Sequence, residues 1–175
     1  MTQAPSIDIW TVALCSGALG YGGWAQVTTA GGVVKGAAGG ERRTTRERME
    51  VAALLSALQS VTDVTAPAPV RIHCDSDYVI ETIKANVGDW RANGWRSDGA
   101  GPAENRDLWE KAAGLFRKRT GPISIVRTKS APGGADQLGF VTAWATFAQD
   151  KVKGVPAFTA QIPKSNLKNF PLAVG

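Results

Sequence analysis

Two carboxylates, Asp75 and Asp77, sit where an apolar strand runs into a helix in the stretch IHCDSDYVIETI, residues 72–83. Acidic groups at the end of a buried strand are costly unless a cation, a hydrogen-bond network or solvent compensates them. Two chemistries fit. In the first, Ser76 or Asp77 accepts hydrogen bonds from the first free N–H groups of the helix, where an acid also suits the helix dipole. In the second, a carboxylate here ligates a metal ion, which requires further carboxylates from elsewhere in the chain.

The elements that must position these groups follow from periodicity. IDIWTVALC is β-rich, a glycine-spaced SGALGYGG follows, and WAQVTTAGGVVKGAAGG carries the AGG turn of a hairpin, so three antiparallel strands open the chain. TTRERMEVAALLSALQSV changes to helical spacing behind a Thr44-x-x-Glu47 capping box. VRIHC predicts a fourth strand, SDYVIETIKANV a second helix, RDLWEKAAGLFRKR a third, PISIVRT a fifth strand and GADQLGFVTAWATFAQDKV a last helix. The glycine-rich GDWRANGWRSDGAGPAEN reads as a loop, and KGVPAFTAQIPKSNLKNFPLAVG reads as an irregular tail with three prolines. A strand meander followed by alternating helix and strand describes a mixed α/β fold, a five-stranded mixed sheet flanked by helices.

Composition bounds the partners. The 175 residues, 43% of them hydrophobic, are enough for one domain with a real core. Twenty Lys plus Arg against 15 Asp plus Glu give a net charge of +5, which leans toward a polyanion. Cys15 and Cys74 have no C-x-x-C spacing, so neither a disulfide framework nor a zinc site is expected and a reducing compartment is the default. MTQAPSIDIW lacks a basic start and an apolar signal core, and no run of 18 apolar residues occurs, so a cytoplasmic chain without membrane contact is expected.

In order and spacing, RMEVAALLSAL, CDSDYVI, the tryptophan pair Trp90 and Trp95, GPAENRDLW and GADQL resemble the type I ribonuclease H family over roughly residues 7–150. The resemblance implies a ribonuclease H-like domain at residues 1–153 with 154–175 as a tail outside it, and the tail's prolines and composition predict an extended segment that docks on the domain or on a protein partner. It implies an RNA/DNA hybrid as substrate and cleavage of the RNA strand by two Mg²⁺ or Mn²⁺ ions. The chemistry requires one metal to activate water and another to stabilise the leaving oxygen, about 4 Å apart. Matched position by position, the ligands and catalytic carboxylates fall on Glu50, Asp75 and Asp136. The nucleic-acid contacts fall on Thr45, Ser76, Trp90, Arg91, Trp95, Arg96 and Asn105. For the two tryptophans, packing on sugars or bases competes equally with pinning the loop to the sheet.

The chain also departs from the family pattern. The first strand of the family ends in Thr-Asp-Gly, whose Asp lies between the two metals, whereas this chain places Val12 at the Asp and Ala13 at the Gly. Asp8 shares a strand face with Val12 but lies about 13 Å away along the strand, too far to substitute. The GNPG turn becomes Gly17-Ala18-Leu19-Gly20, and the two Asn residues before RME become Arg46 and Glu47. The RTKSAPGGAD loop is short and carries no His, and the single His, His73, reads as an ordinary strand residue. Lys111, Arg117, Lys118 and Arg119 read as a solvated helix end. Two functions follow: a nucleic-acid-binding protein with a degenerate site, binding metal weakly or as one ion and hydrolysing weakly or not at all, or an active endoribonuclease on hybrids.

Overall fold

The structure is a computed structural model describing residues 6–96, 102, 104–129 and 136–172. β1 (Ile7–Cys15), β2 (Gly20–Ala30) and β3 (Val33–Thr44) form the antiparallel meander. α1 (Arg46–Ser60), β4 (Val70–Cys74), α2 (Asp77–Asn93), α3 (Arg106–Lys118), β5 (Ile123–Arg127) and α4 (Gln137–Lys151) follow. β4 pairs parallel with β1, and β5 parallel with β4.

Strand alternation on β1 divides the core into two layers. Ile7 and Ile9 are fully buried on the face covered by α1, α2 and α3, with Leu54, Ile72, Ile83, Trp109 and Phe116. Trp10 points the other way and packs with Ala25, Val27, Val141 and Ala145 beneath α4, joined by the half-buried Val12 and Leu14. α4 lies close on the sheet because β2 and β3 present glycine there. A Cβ on Gly23 would stand 2.4 Å from the carbonyl oxygen of Ala145, and one on Gly40 would stand 3.3 Å from that of Ala148.

Three expectations are corrected. The sheet has six strands, in the order β5-β4-β1-β2-β3-β6, because residues 157–161 of the expected irregular tail form β6 (Ala157–Gln161), antiparallel to β3. AFTAQ has almost no buried side chain, so hydrophobic alternation could not reveal it; backbone pairing to β3 supplies its order. The chain then bonds Ile162 N–H to the Gly36 carbonyl at 2.8 Å, makes one turn at α5 (Lys164–Leu167) and buries Ile162, Leu167 and Phe170 beside Trp10 and Phe140. The tail therefore docks on its own domain, and the expected protein partner on the tail gains no support.

α2 is longer than its sequence pattern suggested and takes in GDWRAN. Gly88 lies in open space, and Gly94, at φ 72°, ends the helix with its N–H on the Trp90 carbonyl at 2.8 Å. Arg119 is not part of a solvated helix end. It is buried, and its guanidinium donates to the carbonyls of Val61, Val64 and Thr65 at 3.3, 2.8 and 2.6 Å, fixing the loop between α1 and β4.

Candidate active site

Helix caps place the central groups. Thr45 caps α1, its hydroxyl accepting the Arg48 N–H at 3.1 Å, and Glu50 follows in the second turn, only 8% exposed. Ser76 caps α2 by accepting the Val79 N–H at 3.1 Å, and it donates its own hydroxyl to Glu50 Oε2 at 2.5 Å. Capping at the strand–helix junction thus belongs to Ser76. Asp77 is exposed in the first turn and pairs with Arg127, while Asp75 lies 3.7 Å from Nη1 of the same arginine.

These groups line a cleft of about 150 Å³ with Val12, Arg46, Glu50, Asp75 and Ser76 in its wall, to which α4 adds Leu138 and Thr142. Burial pushes the Glu50 carboxyl above the ordinary carboxylate range, while the Ser76 hydroxyl and then the Arg46 guanidinium pull it back. The nearby Cys74 thiol is pushed up to about 11 by burial, so it is no nucleophile at neutral pH. Asp136 caps α4, its carboxylate accepting the Gly139 N–H at 2.7 Å. It does not line this cleft, and residues 130–135 before it, most of the loop expected to lack a His, lie outside the described residues.

The structure places the expected nucleic-acid contacts in different surroundings. Trp90 is 3% exposed and packs its ring among Trp95, Trp109 and Phe116. Trp95 is half-buried against the same cluster, with Arg106 over its ring. Arg91 lies on α2 and donates to the Gly121 carbonyl at 2.9 Å, linking the helix to the turn before β5. Ser76 is buried with its hydroxyl committed to Glu50. Asn105 supports Tyr78, donating to its hydroxyl at 3.2 Å beside the Trp109 indole N–H at 2.9 Å. Thr45 is half-buried and Arg96 is exposed, so these two remain at the surface.

Asp8 and His73 are engaged with each other. Asp8 Oδ1 lies 2.9 Å from His73 Nε2 and 3.1 Å from Arg71 Nε, His73 stacks on Trp10 at 4.8 Å, and neither residue lines the cleft. Sequence reasoning missed Arg46 and Arg48. Arg46 and Glu50 have the i,i+4 spacing of a helix pair, a signal that was legible. Arg48 bonds both oxygens of Asp107 at 3.0 and 2.9 Å and Glu41 at 2.8 Å, joining α1 to α3 and β3, which only the tertiary fold reveals.

With this geometry in view, the comparisons are decisive. The RNase H family profile matches residues 5–138. This chain belongs to the ribonuclease H family. It is 33% identical to a ribonuclease H of Nitratidesulfovibrio vulgaris over 155 residues, 88% of this chain and 97% of that one. A ribonuclease H of Mesorhizobium japonicum is 38% identical over 108 residues, which spans 62% of this chain and 59% of that relative. Among solved structures, LC9-RNase H1, a type 1 RNase H with the type 2 active-site motif, aligns at a TM-score of 0.67 and 18% identity over 96% of this chain and 82% of its own. LC11-RNase H1 in complex with RNA/DNA hybrid aligns at 0.60 and 18% identity over 85% of this chain and 100% of its own. At such identity the structural matches speak for the fold, and the family to which it belongs generally depends on divalent metal.

Among the described residues the carboxylates lining the cleft are two, Glu50 and Asp75, fewer than a pair of such ions requires. Among the described residues no group of three or more His, Cys, Asp or Glu side chains converges as a metal cage. Val12 adds an aliphatic side chain to the same cleft, and both Glu50 oxygens already have protein partners. Among the described residues, no helix is long and apolar enough to cross a membrane.

Proposed function

We propose that this ribonuclease H family member binds RNA/DNA hybrid or a related nucleic acid and carries a degenerate two-metal site, with weak or absent hydrolysis. The observation that carries the reading is Val12, which lines the cleft beside Glu50 and Asp75 at the position where the family resemblance calls for a central Asp. An aliphatic side chain offers no oxygen to bridge two ions, and loss of a ligand can remove several kcal/mol of transition-state stabilisation, with about 1.4 kcal/mol equal to tenfold in rate. Any Mg²⁺ or Mn²⁺ bound here would be held weakly, or as one ion, by Glu50 and Asp75, the two carboxylates that line the cleft. The active endoribonuclease is the second reading, favoured by the fact that Glu50 and Asp75 still open into one cleft.

Binding is supported by charge and placement. The chain carries +5, and exposed Arg43 and Arg46 flank Thr45 at the start of α1. Affinity for a labelled RNA/DNA hybrid in chelator is expected to fall as salt rises, with a log–log slope of roughly −0.9 per phosphate neutralised on duplex. Fluorescence anisotropy between low and physiological salt measures it. A salt-independent signal, or none at low salt, would contradict the nucleic-acid reading.

A further inference from the structure

Neighbouring carboxylates repel one another, so two that line one cleft without a bound cation should either lose charge or gain counter-charges from the protein. In this cleft the second has happened. Arg46 lies one turn before Glu50 on α1 and places Nε 3.0 Å from Glu50 Oε1, while Ser76 bonds Oε2 at 2.5 Å. Arg127 stands 3.7 Å from Asp75. Both carboxylates that line the cleft therefore have a cationic partner from the chain itself. The Glu50 pair matters most, because the Glu50 side chain is only 10% exposed while that of Arg46 is 58% exposed, so a solvent-exposed guanidinium is the counter-charge of a nearly buried acid. Arg46 occupies one of the two positions where the family resemblance calls for Asn, a side chain that carries no charge to offer Glu50.

We propose that Arg46 is the resident cation of this cleft, holding the face of Glu50 that a divalent ion would otherwise take, so that metal binding must displace its guanidinium. The inference rests on the cleft being the family's catalytic position. Its test reads metal affinity, so failure of nucleic-acid binding would sink the functional reading and leave the result on Arg46 standing.

The test is Mn²⁺ binding followed by electron paramagnetic resonance, with thermal unfolding in chelator alongside, on the unmodified chain, Arg46→Gln, Arg46→Lys and Arg46→Gln with Glu50→Gln. Arg46→Gln is expected to bind Mn²⁺ about fivefold more tightly, the equivalent of one partly exposed ion pair removed from competition. It should also be less stable than the unmodified chain in chelator and gain more stability from Mn²⁺. Arg46→Lys should stay close to the unmodified affinity. The double variant should lose the gain, since the carboxylate competed for is gone. Equal or weaker Mn²⁺ binding by folded Arg46→Gln would overturn the proposal, as would a gain that persists without Glu50.

Discussion

Deleting residues 156–175 is expected to unfold the protein near physiological temperature or to lower its Tm by about 10–20 °C. The segment supplies β6 and three core side chains, Ile162, Leu167 and Phe170, which are 3%, 7% and 4% exposed. Burying each is worth about 1.5–3 kcal/mol, so their loss removes about 5 kcal/mol, a large part of the stability of an ordinary domain. The deletion also uncovers Trp10, against which Phe170 packs edge-on at 5.1 Å, and leaves β3 as an unpaired edge. Urea and thermal unfolding of the truncated chain measure this. A Tm within about 2 °C of the full chain would mean that the C-terminal segment does not contribute to the core.

The second large effect is expected at Gly23, where α4 crosses the sheet. A side chain there would meet backbone, 2.4 Å from the Ala145 oxygen and 2.5 Å from the Gln149 nitrogen, so no rotamer change relieves the clash. Gly23→Val should cost about 3 kcal/mol or more, at the upper end of overpacking penalties, because the whole helix must lift. That lift carries Asp136, Leu138 and Thr142 with it, so the cleft should open as stability falls. Val12→Leu enlarges a half-buried neighbour in the same layer and should cost far less, which separates a backbone clash from simple crowding. A Gly23→Val variant as stable as the unmodified chain to within about 0.5 kcal/mol would contradict the close approach of α4.

Legibility in the sequence followed local signal. α1 announced itself through helical spacing and a cap, although the capping residue is Thr45, one position after the expected Thr44. The β1–β3 meander, β4 and β5 came from β-rich runs and glycine turns, and the convergence of Glu50 and Asp75 came from matching motifs. β6 escaped because its side chains carry no hydrophobic alternation and its order comes from pairing with a strand more than 100 residues earlier. The extent of α2 escaped because glycine-rich GDWRANGW looked like a loop, whereas Gly88 merely sits on an exposed helix face. Trp90, Arg91 and Arg119 illustrate a general ambiguity: tryptophan and arginine serve phosphate or base contacts and core packing equally well, and only tertiary placement decides. Arg46 was legible by spacing, yet its weight depends on the burial of Glu50, which one sequence does not display.

The central claim is that a ribonuclease H fold here retains a nucleic-acid surface around a site that lacks its bridging ligand. The measurement that tests it most directly is cleavage of a defined RNA/DNA hybrid with Mg²⁺ and with Mn²⁺, comparing the unmodified chain with Val12→Asp and with Val12→Asp carrying Asp75→Asn. The expected result is little or no cleavage by the unmodified chain, a measurable gain on Val12→Asp, and loss of that gain when Asp75 is neutralised. Robust metal-dependent cleavage by the unmodified chain, abolished by Asp75→Asn alone, would contradict the account.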